Sequence, residues 1–327
     1  EQIDFDFISP VNEPMWEWDG KSQEGNRYSD SDIQAVLIAL DAELHKHNLN
    51  TEIISPESGS LPALYEPVKD LTDEYHTLYG DYANQLLGND KIRKILHNRI
   101  AYHSYGSDLL DTELIQHREA VQKTMEKFKK CSIWETEYCI LEGPEGKGGN
   151  GRDLTMNTAL DVVRVMHYDL TVANASAWQW WLAVSNSDFK DGLIHTDYQK
   201  PGDPPTIYPT KLLWAFGNFS RFVRPGMRRV ELTGELHDKR GLLGSAWFDQ
   251  NTARLVCVYI NEGATAEQVE LRVKAGKTPI ILNTAVPFIT SDKPGDNLAL
   301  YPTTKASGSG EIRYTIPARS VVTLVVN

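Results

Sequence analysis

Two carboxyl groups held on either side of one bond can work as acid and as nucleophile or base. The chain offers four carboxylates in suitable company. Glu13 stands in Ser9-Pro10-Val11-Asn12-Glu13-Pro14, Glu57 in Ser55-Pro56-Glu57-Ser58-Gly59, and Glu135 and Glu137 in Trp134-Glu135-Thr136-Glu137-Tyr138. Two further stretches, Tyr102-His103-Ser104-Tyr105-Gly106 and Ala177-Trp178-Gln179-Trp180-Trp181, add imidazole, phenol, amide and indole groups. Aromatic faces stack on sugar C–H surfaces, and amides and imidazoles bond hydroxyls. A single loop Glu is ordinarily a solvated carboxylate; two on alternating strands in this aromatic company point to sugar chemistry.

These groups converge only if the intervening elements place them on one rim. The first two thirds of the chain alternate strand and helix patterns. Strands are expected at Gln2–Pro10, Asn50–Ser55, Arg99–Ser104, Cys131–Ile140 and Asn174–Val184. Helices are expected after Ser29 to about Lys46, and over Asp70–Leu87, Asp111–Lys130, Thr155–Thr171 and Thr210–Val223. Five strand–helix units imply a parallel sheet covered by helices, as an open doubly wound sheet or part of a (β/α)8 barrel. In either, function gathers at the carboxyl ends of the strands. After residue 225 short β-branched runs alternate with Gly, Asn, Asp and Pro, which reads as an all-antiparallel β-sandwich of residues 226–327 behind a catalytic portion of residues 1–225.

Composition removes other classes. A net charge of −12 has the wrong sign for a phosphate-backbone binder. Eight Trp and 14 Tyr spread along the chain exclude disorder. No apolar run reaches the ~20 residues of a membrane helix. The three cysteines, Cys131, Cys139 and Cys257, have neither disulfide-framework nor zinc spacing. His45 and His47 lack further metal partners, and Gly143–Gly151 lacks the GK[ST] ending of a phosphate loop. The sequons at Asn174 and Asn218 fall in a strand and a helix and are discounted as glycosylation sites.

The motifs resemble a known family. Asn12-Glu13-Pro14 after a strand is similar to the acid/base signature on strand four of clan A (β/α)8 glycosidases, and Trp134–Tyr138 to the strand-seven nucleophile motif of glycoside hydrolase family 30. Val11-Asn12-Glu13-Pro14-Met15-Trp16-Glu17-Trp18 with Gln23-Glu24-Gly25 resembles the endo-β-1,6-galactanase-like branch of that family. Trp214–Gly226 resembles its last barrel helix and the entry to its side domain.

The resemblance implies retaining double displacement on a β-linked polysaccharide, with Glu13 as acid/base and Glu137 as nucleophile, close enough for retention. Glu135 competes for the nucleophile role, because alternation puts it on the same strand face as Glu137; the position of Glu137 nearer the carboxyl end favours it. Asn12 is expected to bond the sugar 2-OH, Tyr105 to orient Glu137, and His103 and Glu57 to bond substrate hydroxyls. Trp16, Trp18, Trp178, Gln179 and Trp180 are expected to line the cleft, with Trp180 as its floor and Trp178 nearby. Other family 30 specificities (β-1,6-glucan, xylan, a β-glucoside) and a non-catalytic carbohydrate-binding protein are the alternatives. No metal or organic cofactor, nucleic acid or membrane is expected, and a monomer, secreted, periplasmic or at the cell surface, is. Because the first strand resembles strand four, strands one to three are expected to be missing. Five parallel strands cannot close an eight-stranded barrel, so the chain is expected to be the carboxyl-terminal part of a longer protein.

Overall fold

The computed structural model describes residues 3–18, 25–68, 79–141, 143, 147–202, 204–234 and 241–326. The chain divides into two compact units: Glu1–Gly149 with Tyr168–Trp181, and Asn150–His167 with Leu182–Asn327.

The first unit alternates short strands and helices: β1 (Phe7–Ile8), α1 (Asp30–Lys46), β2 (Glu52–Ile53), β3 (Pro56–Ser58), α2 (Asp90–Ile95), β4 (Arg99–His103), α3 (Asp111–Met125), β5 (Ser132–Glu137), α4 (Met156–Thr171, which enters from the second unit) and β6 (Ala177–Trp178). Among the described residues the strands named here pair in parallel: β1 with β2, and β3, β4, β5 and β6 in that order. The chain turns between β2 and β3 at a cis Ser55–Pro56 bond, and the Ser55 carbonyl accepts from Ala101 N–H at 3.0 Å. Among the described residues β1–β2 and β3–β6 form separate sheets, and β1 and β6 are not hydrogen-bonded to each other.

Helix α1 starts where the sequence places it. Ser29 caps it with a capping box to Asp32, satisfying donors that the first turn leaves free. Its buried Ile33 and Leu37 join Ile53, Leu86, Ile100 and Ile133 in the core of the unit. The helix expected over Asp70–Leu87 lies in part outside the described residues, including Leu71, Tyr75 and Leu78; Gln23 and Glu24 lie outside as well. The described end of that stretch is a π-helical turn, Ala83–Leu87, ended at Gly88; α2, which Asn89 caps, comes next. The fifth expected strand is cut down to β6, and Val184–Ser185 pairs separately in the second unit.

The second unit holds β7 (Val184–Ser185), β8 (Ile194–Thr196), β9 (Ile207–Pro209) and α5 (Lys211–Ser220), then β10 (Arg228–Val230), β11 (Leu242–Asp249), β12 (Arg254–Asn261), β13 (Glu267–Leu271), β14 (Val273–Ala275), β15 (Thr278–Ile280), β16 (Thr284–Ser291), β17 (Ala299–Leu300), β18 (Thr304–Lys305), β19 (Ile312–Ile316) and β20 (Ser320–Val326). From β10 onward all pairings are antiparallel. Strand β16 carries Pro287, a residue that cannot donate to a ladder. The Pro287 carbonyl accepts from Tyr301 N–H at 3.0 Å, so the absent N–H would have pointed to that same side, where β17 and β18 leave a gap.

Asn218 on α5 ties this unit together. Fully buried, it donates to Phe288 O at 3.0 Å and Thr323 Oγ1 at 2.9 Å, and accepts from Thr290 Oγ1 at 2.7 Å. Those bonds leave its amide no access for a glycan. Replacing Asn218 by Ala strands three buried partners and is expected to cost about 2–4 kcal/mol. Urea titration checks this, and an unchanged midpoint contradicts it.

Candidate active site

Strand β4 is the spine of the site. Its side chains alternate: Ile100, Tyr102 and then Ser104 on one face, Ala101, His103 and then Tyr105 on the other. The two neighbouring strands each carry a one-residue irregularity at this level. On β3, Pro56 pairs with Ala101 but Ser58 with Tyr102, which leaves Glu57 as the extra residue. On β5, Glu135 pairs with Tyr102 but Glu137 with His103, which leaves Thr136 as the extra residue. Bulges re-aim side chains and recur beside active sites.

The bulge at Thr136 overturns one expectation. Simple alternation puts Glu135 and Glu137 on one face, but the extra residue between them breaks the period. Glu135 ends beside Tyr102 and Glu137 beside His103, on opposite faces of the sheet. Glu135 is fully buried and does not line the cleft described below. Burial and the Asp169 carboxylate push its carboxyl well above the usual range, against the Gln179 N–H that donates to it at 3.1 Å and the nearby His103.

Three carboxylates surround His103, which is almost fully buried. Glu13 Oε1 lies 2.9 Å from Nδ1, Glu57 Oε2 lies 3.5 Å from Nε2, and Glu137 Oε1 lies 3.8 Å from Nδ1. Burial pulls the imidazole down, but the hydrogen bonds to Glu13 and Glu57 and the charges of Glu137 and Glu57 win, raising its pKa to about 10. Both ring nitrogens face carboxylates, and His103 lines the cleft.

Burial likewise raises the Glu137 carboxyl. The His103 cation and a hydrogen bond from Tyr105 oppose the rise, and the Glu13 and Glu57 charges add to it. The Tyr105 hydroxyl donates to Glu137 Oε1 at 3.1 Å and lies 3.6 Å from Cys139 Sγ. Thr136, which sequence reading passed over, donates to Glu57 Oε2 and to the Tyr102 carbonyl, the latter at 3.2 Å.

Glu13 and Glu57 both adopt left-handed backbone, φ 45° and 57°, where non-glycine residues are strained, and such strain clusters at functional sites. Their backbones are joined, with Glu13 N–H donating to the Glu57 carbonyl at 2.8 Å. The Trp18 indole N–H donates to the Glu13 carbonyl at 3.2 Å, and Trp16 is exposed next to it. Gly59 makes room for Trp16: a Cβ there would collide with the indole nitrogen and lie 3.0 Å from Glu13 Cβ.

A cleft of about 410 Å³ opens over these groups, lined by Asn12, Glu57, His103, Thr136, Glu137 and Gln179 among others. Asn12 and Gln179 are exposed in it. The expected aromatic floor is arranged differently. Trp178 and Trp180 stack on each other, 6.4 Å between centroids and 18° between planes, but the Trp178 indole N–H is turned to Asp169 at 2.8 Å, away from the cleft. Trp178 shares the face of Glu135, its register partner.

One ligand atom from each of Glu13, His103 and Glu137 lies within 4.8 Å of the others, a set that could hold a metal ion. A metal there would have to displace the proton that His103 holds against Glu13. Two nearby carboxylates and a fixed proton donor suit acid–base and nucleophilic chemistry at an acetal carbon.

Comparison with known proteins decides the family. The model described as O-glycosyl hydrolase family 30 matches residues 1–195. The chain belongs to glycoside hydrolase family 30. Solved structures share its fold. A conserved exported protein from Bacteroides fragilis is 28% identical with a TM-score of 0.79, covering 98% of this chain and 65% of its own. A family 30 endoxylanase from Clostridium papyrosolvens C71 is 18% identical with a TM-score of 0.67, over 98% of this chain and 65% of that one. A family 30 subfamily 8 xylanase from Clostridium acetobutylicum is 21% identical with a TM-score of 0.67, over 98% and 66%. The chain thus spans about two thirds of these relatives' length, and it shares their α/β fold. Among the described residues of this family 30 hydrolase no helix is long and apolar enough to cross a membrane.

The raised His103 fixes a pH dependence. A group whose folded pKa lies above its unfolded value contributes fully below about pH 6.5, and the contribution is lost as pH climbs through about 10. The urea midpoint of the hydrolase should exceed that of His103→Gln most at pH 6.5, with the gap closing toward pH 10. A gap that stays constant or widens over that range contradicts the assignment.

Proposed function

We propose that this family 30 hydrolase cleaves a β-linked polysaccharide from within, most specifically β-1,6-galactan, by retaining double displacement. Glu13 is the general acid/base and Glu137 the nucleophile. The observation that carries this reading is their separation: carboxylate oxygens within 4.8 Å, with His103 bridging the pair. Retaining enzymes hold their carboxyls about 5–5.5 Å apart, whereas inverting ones leave about 6.5–9.5 Å for a water.

In the first step Glu137 attacks the anomeric carbon and a proton held between Glu13 Oε1 and His103 Nδ1 passes through Glu13 to the leaving oxygen. In the second, Glu13 takes a proton from water, which releases the sugar from Glu137. The Tyr105 hydroxyl keeps Glu137 oriented and favours its ionised form. Asn12 and Gln179 are placed to bond sugar hydroxyls, Trp16 and Trp18 to border the cleft, and Glu57 to hold His103 from its far side. The galactan assignment rests on the Val11–Trp18 stretch.

Residues 1–225 are read as strands four to eight of a (β/α)8 catalytic portion, and residues 226–327 as a β-sandwich side domain. A polymeric substrate and the exported Bacteroides relative support a secreted, periplasmic or cell-surface location.

Replacing each Glu by Gln tests the roles. With a 2-deoxy-2-fluoro β-glycoside carrying a good leaving group, Glu137→Gln should give no covalent glycosyl-enzyme by mass spectrometry. Glu13→Gln should still be labelled, because such a leaving group needs little acid assistance, and should then turn over slowly. Labelling of Glu137→Gln at the wild-type rate removes Glu137 from the role. A panel of β-1,6-galactan, β-1,6-glucan and xylan oligosaccharides places the specificity, and binding without turnover of any of them favours a lectin-like protein.

Tyr105→Phe removes a hydrogen bond that favours the carboxylate form of Glu137, so the acidic limb of kcat/KM should move to higher pH. A limb that stays in place, or moves to lower pH, contradicts that role for Tyr105.

A further inference from the structure

On the face of β4 away from His103 and Tyr105, one carboxylate gathers donors from two strands. Asp169, in the last turn of α4, is fully buried. Its Oδ2 accepts from Ser104 Oγ at 2.8 Å and from the Trp178 indole N–H at 2.8 Å. Its Oδ1 accepts from the Tyr102 hydroxyl at 3.1 Å and lies 2.8 Å from Arg118 Nε. Arg118, on α3, is itself buried and donates to the Leu114 carbonyl at 2.9 Å. Neither Asp169 nor Arg118 lines the cleft.

We propose that Asp169 is a positioning residue for hydrolysis: by fixing Tyr102 and Ser104 on β4 and Trp178 on β6 from behind, it sets the backbone that aims His103 at Glu13 and Tyr105 at Glu137. The logic is the alternation of the strand. Residues 102 and 104 leave one face and 103 and 105 the other, so a clamp on the first pair fixes the second. Displacement of a reacting group by about 1 Å can cost about 100-fold in rate.

The competing account is that Asp169 and Arg118 form a plain buried ion pair. Such pairs contribute little net stability, and apolar residues of similar volume often replace them without loss. An apolar pair cannot, however, accept from Tyr102, Ser104 and Trp178. That difference separates the two accounts.

The inference rests on Glu13 and Glu137 as the reacting carboxylates, which Glu137→Gln tests separately. Wild type, Glu137→Gln, Asp169→Asn, Trp178→Phe and the double variant Arg118→Met/Asp169→Leu are compared on 4-nitrophenyl β-galactoside, with melting temperatures and pH profiles of kcat. Asp169→Asn should lose about 10- to 100-fold in kcat with little change in KM, and its pH limbs should shift. The double variant should recover the melting temperature but not kcat. Trp178→Phe, which removes one donor without stranding a charge, should keep its melting temperature and lose kcat by a smaller factor. Recovery of kcat together with melting temperature in the double variant, or full activity with an unshifted pH profile in Trp178→Phe, overturns the proposal. Wild-type turnover by Glu137→Gln instead overturns the reading of the reacting carboxylates, and the proposal falls with it.

Discussion

Everything at this site depends on one buried imidazole. His103 is walled off from solvent, yet Glu13, Glu57 and Glu137 all lie within 4 Å of it. Three carboxylates so close cannot all ionise without a compensating charge. The His103 cation supplies it and at the same time holds a proton against Glu13. Removing that charge would leave three partly buried acids repelling one another, so the imidazole is at once a structural and an electrostatic requirement.

The backbone is bent to satisfy that arrangement. Two adjacent irregularities, at Glu57 on β3 and Thr136 on β5, bring side chains toward β4 that a regular parallel sheet would have turned away. Glu13 and Glu57 accept left-handed conformations for the same end. The opposite face of β4 is then free for a different task, and there Asp169 and Arg118 gather the hydroxyls of Tyr102 and Ser104 and the indole of Trp178. On the proposed mechanism the front of the sheet holds the charges that react, and its back the groups that keep the front in place.

Much of this was legible in the sequence, for reasons that can be named. Helix starts at Ser29 and Thr210 carry their own side-chain caps, and the strand–helix alternation follows apolar period. Glu13 and Glu137 were marked by motifs whose residue types the chemistry requires. The bulge at Thr136 was not legible, because an extra residue on one strand is decided by its neighbour's register, and so the faces of Glu135 and Glu137 were read wrongly. Trp178 was assigned to the cleft for a related reason: nothing local shows that its indole will meet an Asp from α4. Asp169 itself, an acid in the last turn of α4, resembles any helix-end carboxylate until the fold surrounds it with donors.

The chain belongs to glycoside hydrolase family 30, and the central proposal concerns how the bond is broken. Proton NMR of the first minutes of hydrolysis of a β-1,6-galactan oligosaccharide, before mutarotation mixes the anomers, reads that directly. Double displacement through Glu137 predicts that the β-anomer appears first. Initial release of the α-anomer would contradict the account, whatever the residues involved.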